Sequence, residues 1–293
     1  MMLMNRTALA LTLISVFFIW SVIEIKFANA QFLGSVYINP DGSVTGTTKI
    51  QRNENIYTLT GNISGGIQIQ TSHILLDGSG YAVEGNGEGR GIDLSNGRGQ
   101  DPSRPEINNV TVMNLKILNF YYGVDNANTN NNTFIGNYIE NCLSFWIVGS
   151  SNNIITNNTM NNASISINYA GSNNITRNNF ISCWVTTWAS TQPIVDGNYW
   201  SDYKTRYPDA KEIDNSGIWN MPYESWENVI DSHPLVMPYG ASPVSSSSPT
   251  PEPTPEVEAF PTTFVIATSV IFAIVCLALL VYFKKRQKAR DKV

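Results

Sequence analysis

Two aspartates in equivalent positions are the residues of this chain best placed to do chemistry together. Asp93 lies in the segment Gly91–Leu94 and Asp125 in the segment Gly123–Asn126, and both segments have the same order of glycine, β-branched residue and aspartate. Alternate side chains of a strand face opposite sides, so the β-branched residues are expected to point inward and both aspartates outward. On adjacent strands the two carboxylates would lie about 5 Å apart.

That separation is compatible with a retaining glycosidase pair or with a shared cation such as Ca²⁺. The alternative is that Asp93 and Asp125 are solvated surface acids beside a loop, because the chain inserts Ser95–Glu106 between their two segments. Insertions into a repeated structure tend to decorate one face, often the binding face.

Aromatic residues form a second group that could bind a ligand. The chain from Tyr199 to Tyr239 is rich in Trp and Tyr among Pro, Asp and Asn. Bulky aromatic side chains can cover the open end of a stack of strands, so residues 199–240 are expected to form a C-terminal cap. The alternative is a platform for sugar rings, which would leave some of Trp219, Tyr223 and Trp226 exposed in an apolar patch.

A repeat with a period near 21 residues must position these groups. Paired asparagines begin four similar segments, each with a short β-branched or aromatic run, at Asn108, Asn131, Asn152 and Asn173, so the starts are 23, 21 and 21 residues apart. Runs of three to five strand-forming residues are too short for helices. Stacking such coils at about 4.8 Å in parallel predicts an all-β, right-handed parallel β-helix, which we assign to residues 31–198.

The asparagines follow from the same geometry. There are 22 of them between Glu106 and Phe180. Asparagine tolerates left-handed backbone at turns, and its amide can bond to the asparagine of the next coil. We therefore expect structural turn ladders, with direct ligand contact as the alternative. Six asparagines also begin glycosylation sequons, of which only a subset is expected to be modified: Asn62, Asn109, Asn131, Asn157, Asn162 and Asn174.

Both ends of the chain have the composition of targeting segments. Residues 1–30 combine an apolar run with a small-x-small ending, which predicts a cleaved signal peptide, or alternatively an uncleaved anchor. Residues 262–283 hold no charge and predict a single transmembrane helix, and the six cations of residues 284–293 predict a cytoplasmic tail. The Ser- and Pro-rich residues 241–261 predict an extended stalk.

Composition excludes several functional classes. Three cysteines and two histidines are too few for a disulfide scaffold or a zinc-ribbon array, and a net charge of −5 gives no reason to expect nucleic-acid binding.

Cys142 and Cys183 fall in one column two coils apart, with Ala163 between them. Two coils span about 9.6 Å, beyond the roughly 7 Å that a disulfide allows between Cα atoms, so both are expected to be free and buried.

Several motifs resemble one family. The segments Pro40–Ser43, His73–Gly78, Gly197–Tyr203 and Ile213–Trp219 look like those of NosD-type right-handed β-helix proteins common on archaeal cell surfaces, and the resemblance covers nearly all of residues 35–240. It implies the fold. For activity it implies little, because the wider β-helix group includes carbohydrate-binding modules, polysaccharide lyases and hydrolases.

The family name implies copper delivery to an exported reductase. Between the two predicted targeting ends, however, the chain has only two histidines and four methionines, with no cluster at ligand spacing, so copper is not expected. No other cofactor is expected. The sequence thus favours an anchored cell-surface protein that binds surface polysaccharide or envelope glycoprotein without catalysis, or that has a structural role. The alternative is a polysaccharide hydrolase or lyase that uses Asp93 and Asp125.

Overall fold

A computed structural model describes residues 36–95, 106–226 and 229–241 of the chain. Four predictions lie outside these residues: the signal peptide 1–30, the stalk 241–261 apart from its first residue, the transmembrane helix 262–283 and the basic tail 284–293. In the described part of the chain, no helix is both long enough and apolar enough to cross a membrane.

Three sheets contain the strands of the described residues. Sheet A comprises β1 Val36–Ile38, β2 Val44–Thr45, β6 Ile67–Ile69, β9 Arg90–Asp93, β12 Tyr122–Ala127, β15 Ser144–Val148, β18 Ser164–Asn168 and β21 Val185–Trp188. Sheet B comprises β3 Ile50–Asn53, β4 Ile56–Leu59, β7 Leu75–Asp77, β10 Thr111–Met113, β13 Thr133–Ile135, β16 Ile154–Thr156, β19 Asn174–Thr176, β22 Ile194–Asp196, β24 Tyr223–Glu224 and β25 Ile230–Asp231. Sheet C comprises β5 Ile63–Ser64, β8 Ala82–Glu84, β11 Lys116–Leu118, β14 Tyr138–Glu140, β17 Thr159–Asn161, β20 Asn179–Ile181 and β23 Tyr199–Trp200.

The chain visits sheets B, C and A in turn, so each coil adds one strand to each sheet. The six coils that begin with β4, β7, β10, β13, β16 and β19 each contribute all three strands in the described residues, and their neighbouring strands pair in parallel. This arrangement is a parallel β-solenoid of about 21 residues per coil, as predicted.

The predicted register is wrong by one residue at two points. Thr111 pairs with Thr133, Thr133 with Ile154, and Ile154 with Asn174, so the spacings are 22, 21 and 20 residues instead of 23, 21 and 21. The asparagine pairs do not mark the same position in every coil, because a coil carries asparagine at several adjacent positions. The partner of Asn108 is consequently Asn130.

Columns of apolar side chains fill the interior of the solenoid. In sheet C, Val83 pairs with Ile117 and Ile117 with Ile139, and the column continues coil by coil to Phe180 and Trp200. All of these side chains are almost fully buried. Alternation along each strand therefore places one apolar residue inside in the short strands of sheet C and up to two in the longer strands of sheet A, such as Phe145 and Ile147 in β15. The core grows by one layer per coil.

Asparagines form the predicted ladders at the corners. Asn137 donates its backbone N–H to the side-chain Oδ1 of Asn158 (2.9 Å), Asn158 to Asn178 (3.0 Å), and Asn178 to Asn198 (2.9 Å). The residue before each ladder position has the left-handed backbone conformation, as at Asn157 with a φ of 57°. Each corner of this ladder thus uses one residue for the turn, which is Asn157 in one coil and glycine or arginine in the others, and the following asparagine for the ladder.

A set of stacked aromatic rings covers the last coil. Trp200 stacks on Phe180 with ring centroids 4.4 Å apart, and Tyr223 stacks on Trp200 at 4.1 Å. The short helix α1, Tyr203–Arg206, adds Tyr203, which stacks on Trp219 at 5.2 Å. The rings continue the interior column beyond its last strand and shield it from water, which is the capping arrangement predicted for this region.

Cys142 and Cys183 are free and buried, as predicted. Their column runs from Cys142 through Ala163 to Cys183, whose Sγ lies 3.2 Å from the backbone nitrogen of Ala163. Burial raises the pKa of the Cys142 thiol to about 11 and raises that of Cys183. Both thiols therefore remain protonated and unreactive at neutral pH.

Candidate functional site

The outer face of sheet A carries one continuous row of polar and aromatic side chains. Parallel pairing aligns a single residue from each of seven strands in that row, namely Tyr37, Gln68, Asp93, Asp125, Trp146, Ser166 and Thr186. The residues before them in β9, β12 and β15 face the core. The predicted adjacency of Asp93 and Asp125 and the inward direction of Ile92 and Val124 are therefore correct.

The alternative in which both aspartates are solvated surface acids is wrong. Asp93 is 8% exposed and Asp125 has no exposed surface. Arg90 accounts for part of this burial, because its Nε contacts Oδ2 of Asp125 at 2.5 Å and its guanidinium lies 3.8 Å from Oδ2 of Asp93. The guanidinium supplies positive charge next to both carboxylates, where a shared cation was one of the interpretations compatible with the sequence.

Asp93 has further hydrogen-bond partners within the chain. Gln68 donates its Nε2 to Oδ2 of Asp93 at 3.0 Å, while Ser95 donates both its backbone N–H and its hydroxyl to Oδ1 at 2.9 and 2.6 Å. Gln70 in turn donates to Gln68 at 2.8 Å. The acidic pair is therefore part of a hydrogen-bonded network that holds its geometry fixed.

Gly66 allows this network to form. A Cβ at Gly66 would lie 1.9 Å from the carbonyl oxygen of Arg90. Any larger residue would displace β9, which carries both Arg90 and Asp93. The glycine is therefore required by the close approach of two backbone segments, and it sets the position of the site on the face of sheet A.

Aromatic rings and a cavity flank the network. The Trp146 and Tyr122 rings have centroids 5.5 Å apart, and Tyr121 packs edge-on against Tyr122 at 4.7 Å. A cavity of about 310 Å³ is lined by both tyrosines together with Glu88, Gly89 and Arg90. Arg90 therefore links the buried carboxylates to a cavity that has an aromatic wall.

The three aromatic residues predicted as an exposed platform have different surroundings. Tyr223 is 2% exposed, and its hydroxyl donates to Asp202 at 3.0 Å, so it offers no face to a ligand. Trp219 is half-buried, and Lys204 Nζ lies 5.1 Å from its ring centroid. Only Trp226, at 65%, is largely exposed. The interpretation of Tyr223 as part of an exposed platform is therefore wrong, and this residue belongs to the cap.

The sequon asparagines fall into two groups. Asn109, Asn131 and Asn162 are exposed and have left-handed backbone at turns. Of these, Asn162 also donates its Nδ2 to Asn141 Oδ1 at 3.2 Å. The other three do not combine exposure with such a turn: Asn62 is exposed but its Oδ1 accepts from the Ala82 backbone at 3.0 Å, Asn157 is half-buried and its Oδ1 accepts from Thr156 at 3.3 Å, and Asn174 Oδ1 is buried. None of the six occupies an interior ladder position.

Metal ligands do not converge anywhere in the described ranges. No three His, Cys, Asp or Glu side chains there are grouped as a metal ion would require. The two histidines lie apart, since His73 is at the turn before β7 and His233 follows β25.

No family model, no curated protein and no solved structure matches this chain. The site must therefore be interpreted from its own geometry.

Sequence reasoning missed three residues of the site: Arg90, Tyr122 and Trp146. Trp146 had a detectable signal, because it lies 21 residues after Asp125 and so occupies the same column one coil later. Tyr122 and Arg90 pair with each other across β12 and β9, but a register shift follows Tyr122 in its pairing with β15. That irregularity breaks the simple period, and no local pattern indicated it.

Proposed function

We propose that this protein binds carbohydrate at a cell surface, without cleaving it, through the outer face of sheet A. The observation that carries the proposal is the Trp146–Tyr122 ring pair, in which Tyr122 also lines a cavity of about 310 Å³ together with Arg90. Aromatic rings accept the apolar faces of sugar rings, while a few fixed polar groups orient a ligand. The hydrogen-bonded network behind Arg90 gives the site the rigidity that lowers the entropic cost of binding.

Binding is better supported than cleavage. A carboxylate that attacks a glycosidic bond must touch the sugar, but Asp125 has no exposed surface and is ion-paired to Arg90. Both oxygens of Asp93 accept hydrogen bonds from Gln68 and Ser95. These partners assign the pair a role in holding Arg90.

The cellular setting is part of the same proposal. Export through residues 1–30, a stalk at 241–261 and anchoring by 262–283 would present the solenoid outside the cell, as in the NosD-type archaeal surface proteins that the sequence resembles. Residues 31–261 hold 21 acidic and 10 basic side chains, so repulsion by the exported part disfavours long polyanions as ligands at an open face.

A glycan array probed with the full-length chain in detergent tests the proposal. The Trp146→Ala variant should weaken binding about tenfold or more, since it removes the stacking ring, whereas Trp146→Tyr should retain part of the affinity. Tyr81→Ala is the matched control, because Tyr81 is exposed at a different corner of the solenoid. Equal binding by all four proteins would exclude this face as the site.

The enzymatic alternative is tested on the same glycans. The chain is incubated with each bound glycan, and the products are separated by size. Intact glycans with the wild type support binding alone. Glycans that are shortened by the wild type but stay intact with both Asp93→Asn and Asp125→Asn would instead establish a hydrolase or lyase.

A further inference from the structure

A second cavity, of about 490 Å³, lies where the C-terminal segment returns to the solenoid. Its solenoid wall contains Thr176 and Asp196, which are neighbours on β19 and β22, and the adjoining turn residue Arg177. Its other wall contains His233 and Tyr239. The cavity is separate from the sheet A site, because it opens at the far end of sheet B.

The imidazole of His233 has a fixed orientation. Its Nδ1 lies 2.7 Å from Oδ1 of Asp196, which leaves Nε2 with no hydrogen-bond partner in the described part of the chain. A carboxylate on one ring nitrogen determines how the other is presented. His233 therefore has one nitrogen that remains able to bond a ligand.

Arg177 supplies a cation that no acidic side chain of the described residues pairs with directly, although the Asp196 carboxylate lines the same cavity. Its guanidinium lies over the Tyr239 ring, 5.9 Å from the centroid, and within the described ranges it has neither an ion pair nor a hydrogen bond. Tyr239 is itself held in place, because its backbone N–H donates to Asn179 Oδ1 at 2.6 Å and its carbonyl accepts from Asn179 Nδ2 at 3.2 Å. The positive charge and its aromatic support are thus present before any ligand arrives.

We propose that this cavity binds a single sugar residue that carries a carboxylate. The Arg177 guanidinium matches a carboxylate with two parallel hydrogen bonds. His233 Nε2 is available to a ring hydroxyl, and the Thr176 hydroxyl, which donates to Thr156 Oγ1 at 3.4 Å, can accept a hydrogen bond from another. Tyr239 with Leu235 provides the apolar wall. The volume lies within the range of small-molecule sites, which is about 300 to 1,000 Å³.

This second site goes beyond the proposed function, and it stands or fails independently of the sheet A face. Electrostatics also differ between the two sites: the acidic exterior repels a long polyanion, whereas one carboxylate inside the cavity meets a local cation whose field is little screened over a few ångströms.

Calorimetric titration of the full-length chain tests the proposal with three probes: D-glucuronate, D-glucose and acetate. We expect glucuronate to bind in the millimolar range and the other two at least about tenfold more weakly, because each lacks either the charge or the ring. Arg177→Gln should weaken glucuronate binding at least about tenfold. Arg177→Lys should have an intermediate effect, because it keeps the charge but loses the planar fork.

Two control variants distinguish this cavity from binding elsewhere on the chain. Arg52→Gln removes a guanidinium that also lies over a ring, at 5.6 Å from Tyr57, but near the N-terminal end of the solenoid; it should leave the affinity unchanged. Trp146→Ala should also leave it unchanged, even if it abolishes binding at sheet A. The proposal is overturned if glucose or acetate binds as tightly as glucuronate, or if Arg177→Gln retains full affinity with an unaltered melting temperature.

Discussion

The indole nitrogen of Trp200 donates a hydrogen bond to Oδ2 of Asp231 over 3.0 Å. The same carboxylate accepts the backbone N–H groups of Gly197, Asn198 and His233 and the side-chain amide of Asn198. Asp231 thereby occupies the place that the next asparagine would take in the corner ladder. An acceptor-only carboxylate can end the ladder, because it satisfies the last donors without presenting a donor of its own.

Removal of this terminator should destabilise the protein strongly. Asp231→Ala leaves buried donors unpaired, including the Trp200 indole, and we expect the free energy of unfolding to fall by about 3 kcal/mol or more. Urea denaturation followed by tryptophan fluorescence measures the change. Asp209→Ala is the control, because Asp209 is exposed, and it should alter stability by less than about 0.5 kcal/mol.

The interior of the ladder should be equally sensitive. The Asn158 side chain accepts from the backbone and side chain of Asn137 and donates to Phe134 O and Asn178 Oδ1. Asn158→Ala should therefore cost about 3 kcal/mol in denaturant titrations. Asn53 is an exposed residue of β3, so Asn53→Ala should leave the free energy of unfolding nearly unchanged. Similar losses in both variants would mean that asparagine content rather than the ladder matters.

The buried thiol of Cys142 makes stability depend on pH in the alkaline range. Burial raises its pKa from 9.0 to about 11, so between these values the native state keeps a proton that the unfolded state releases. The free energy of unfolding should consequently fall as pH rises through this window, by about 2 to 3 kcal/mol in full, and be unaffected below pH 9.

Cys142→Ala isolates this contribution from the tyrosines that titrate in the same range. Alanine fits the column, because Ala163 occupies the same place one coil later. Urea denaturation at pH 8, 9.5 and 11 should give a steeper decline for the wild type than for the variant. Parallel declines would show that the thiol does not contribute.

Glycosylation should be restricted to the exposed turn asparagines. Asn109, Asn131 and Asn162 are accessible, whereas Asn174 has a buried Oδ1. Asn109 and Asn131 lie one coil apart, about 4.8 Å, so steric exclusion should allow one glycan at this pair in any single molecule. Glycopeptide mass spectrometry of the chain from an N-glycosylating host checks both points, and a glycan on Asn174 would contradict them.

The fold was predictable because its determinants are local and periodic. Short strands, paired asparagines and turn residues recur in every coil, so neither long-range contacts nor knowledge of the ends was needed to infer the solenoid. The exact register was not predictable. Asn108 and Asn109 are the same residue type one position apart, so the sequence does not show which of them aligns with a given asparagine of the next coil. The site was harder for a related reason: alternation places Asp93 and Asp125 on the outer face, but it does not reveal what covers them.

Burial of the acidic pair depends on partners from other coils and on a close backbone approach. Gln68 comes from the preceding coil, and Gly66 brings that coil within reach of Arg90. Neither relationship leaves a periodic mark in the sequence. The same limit applies to the cap, where aromatic composition predicted the covering of the last coil but did not distinguish the buried Tyr223 from the exposed Trp226.

The two ends of the solenoid differ from its middle in one respect that bears on how such a protein evolves. Antiparallel pairs lie at the N-terminal edges of sheets A and B, β1 with β2 and β3 with β4, and at the C-terminal edge of sheet B, β24 with β25. The central coils pair only in parallel with near-copies of themselves. Duplication or loss of a whole coil in the middle would preserve every edge contact. Each such event would change the distance between the terminal structures by about 4.8 Å. The length of the solenoid can therefore change in steps of one coil while both terminal structures stay the same.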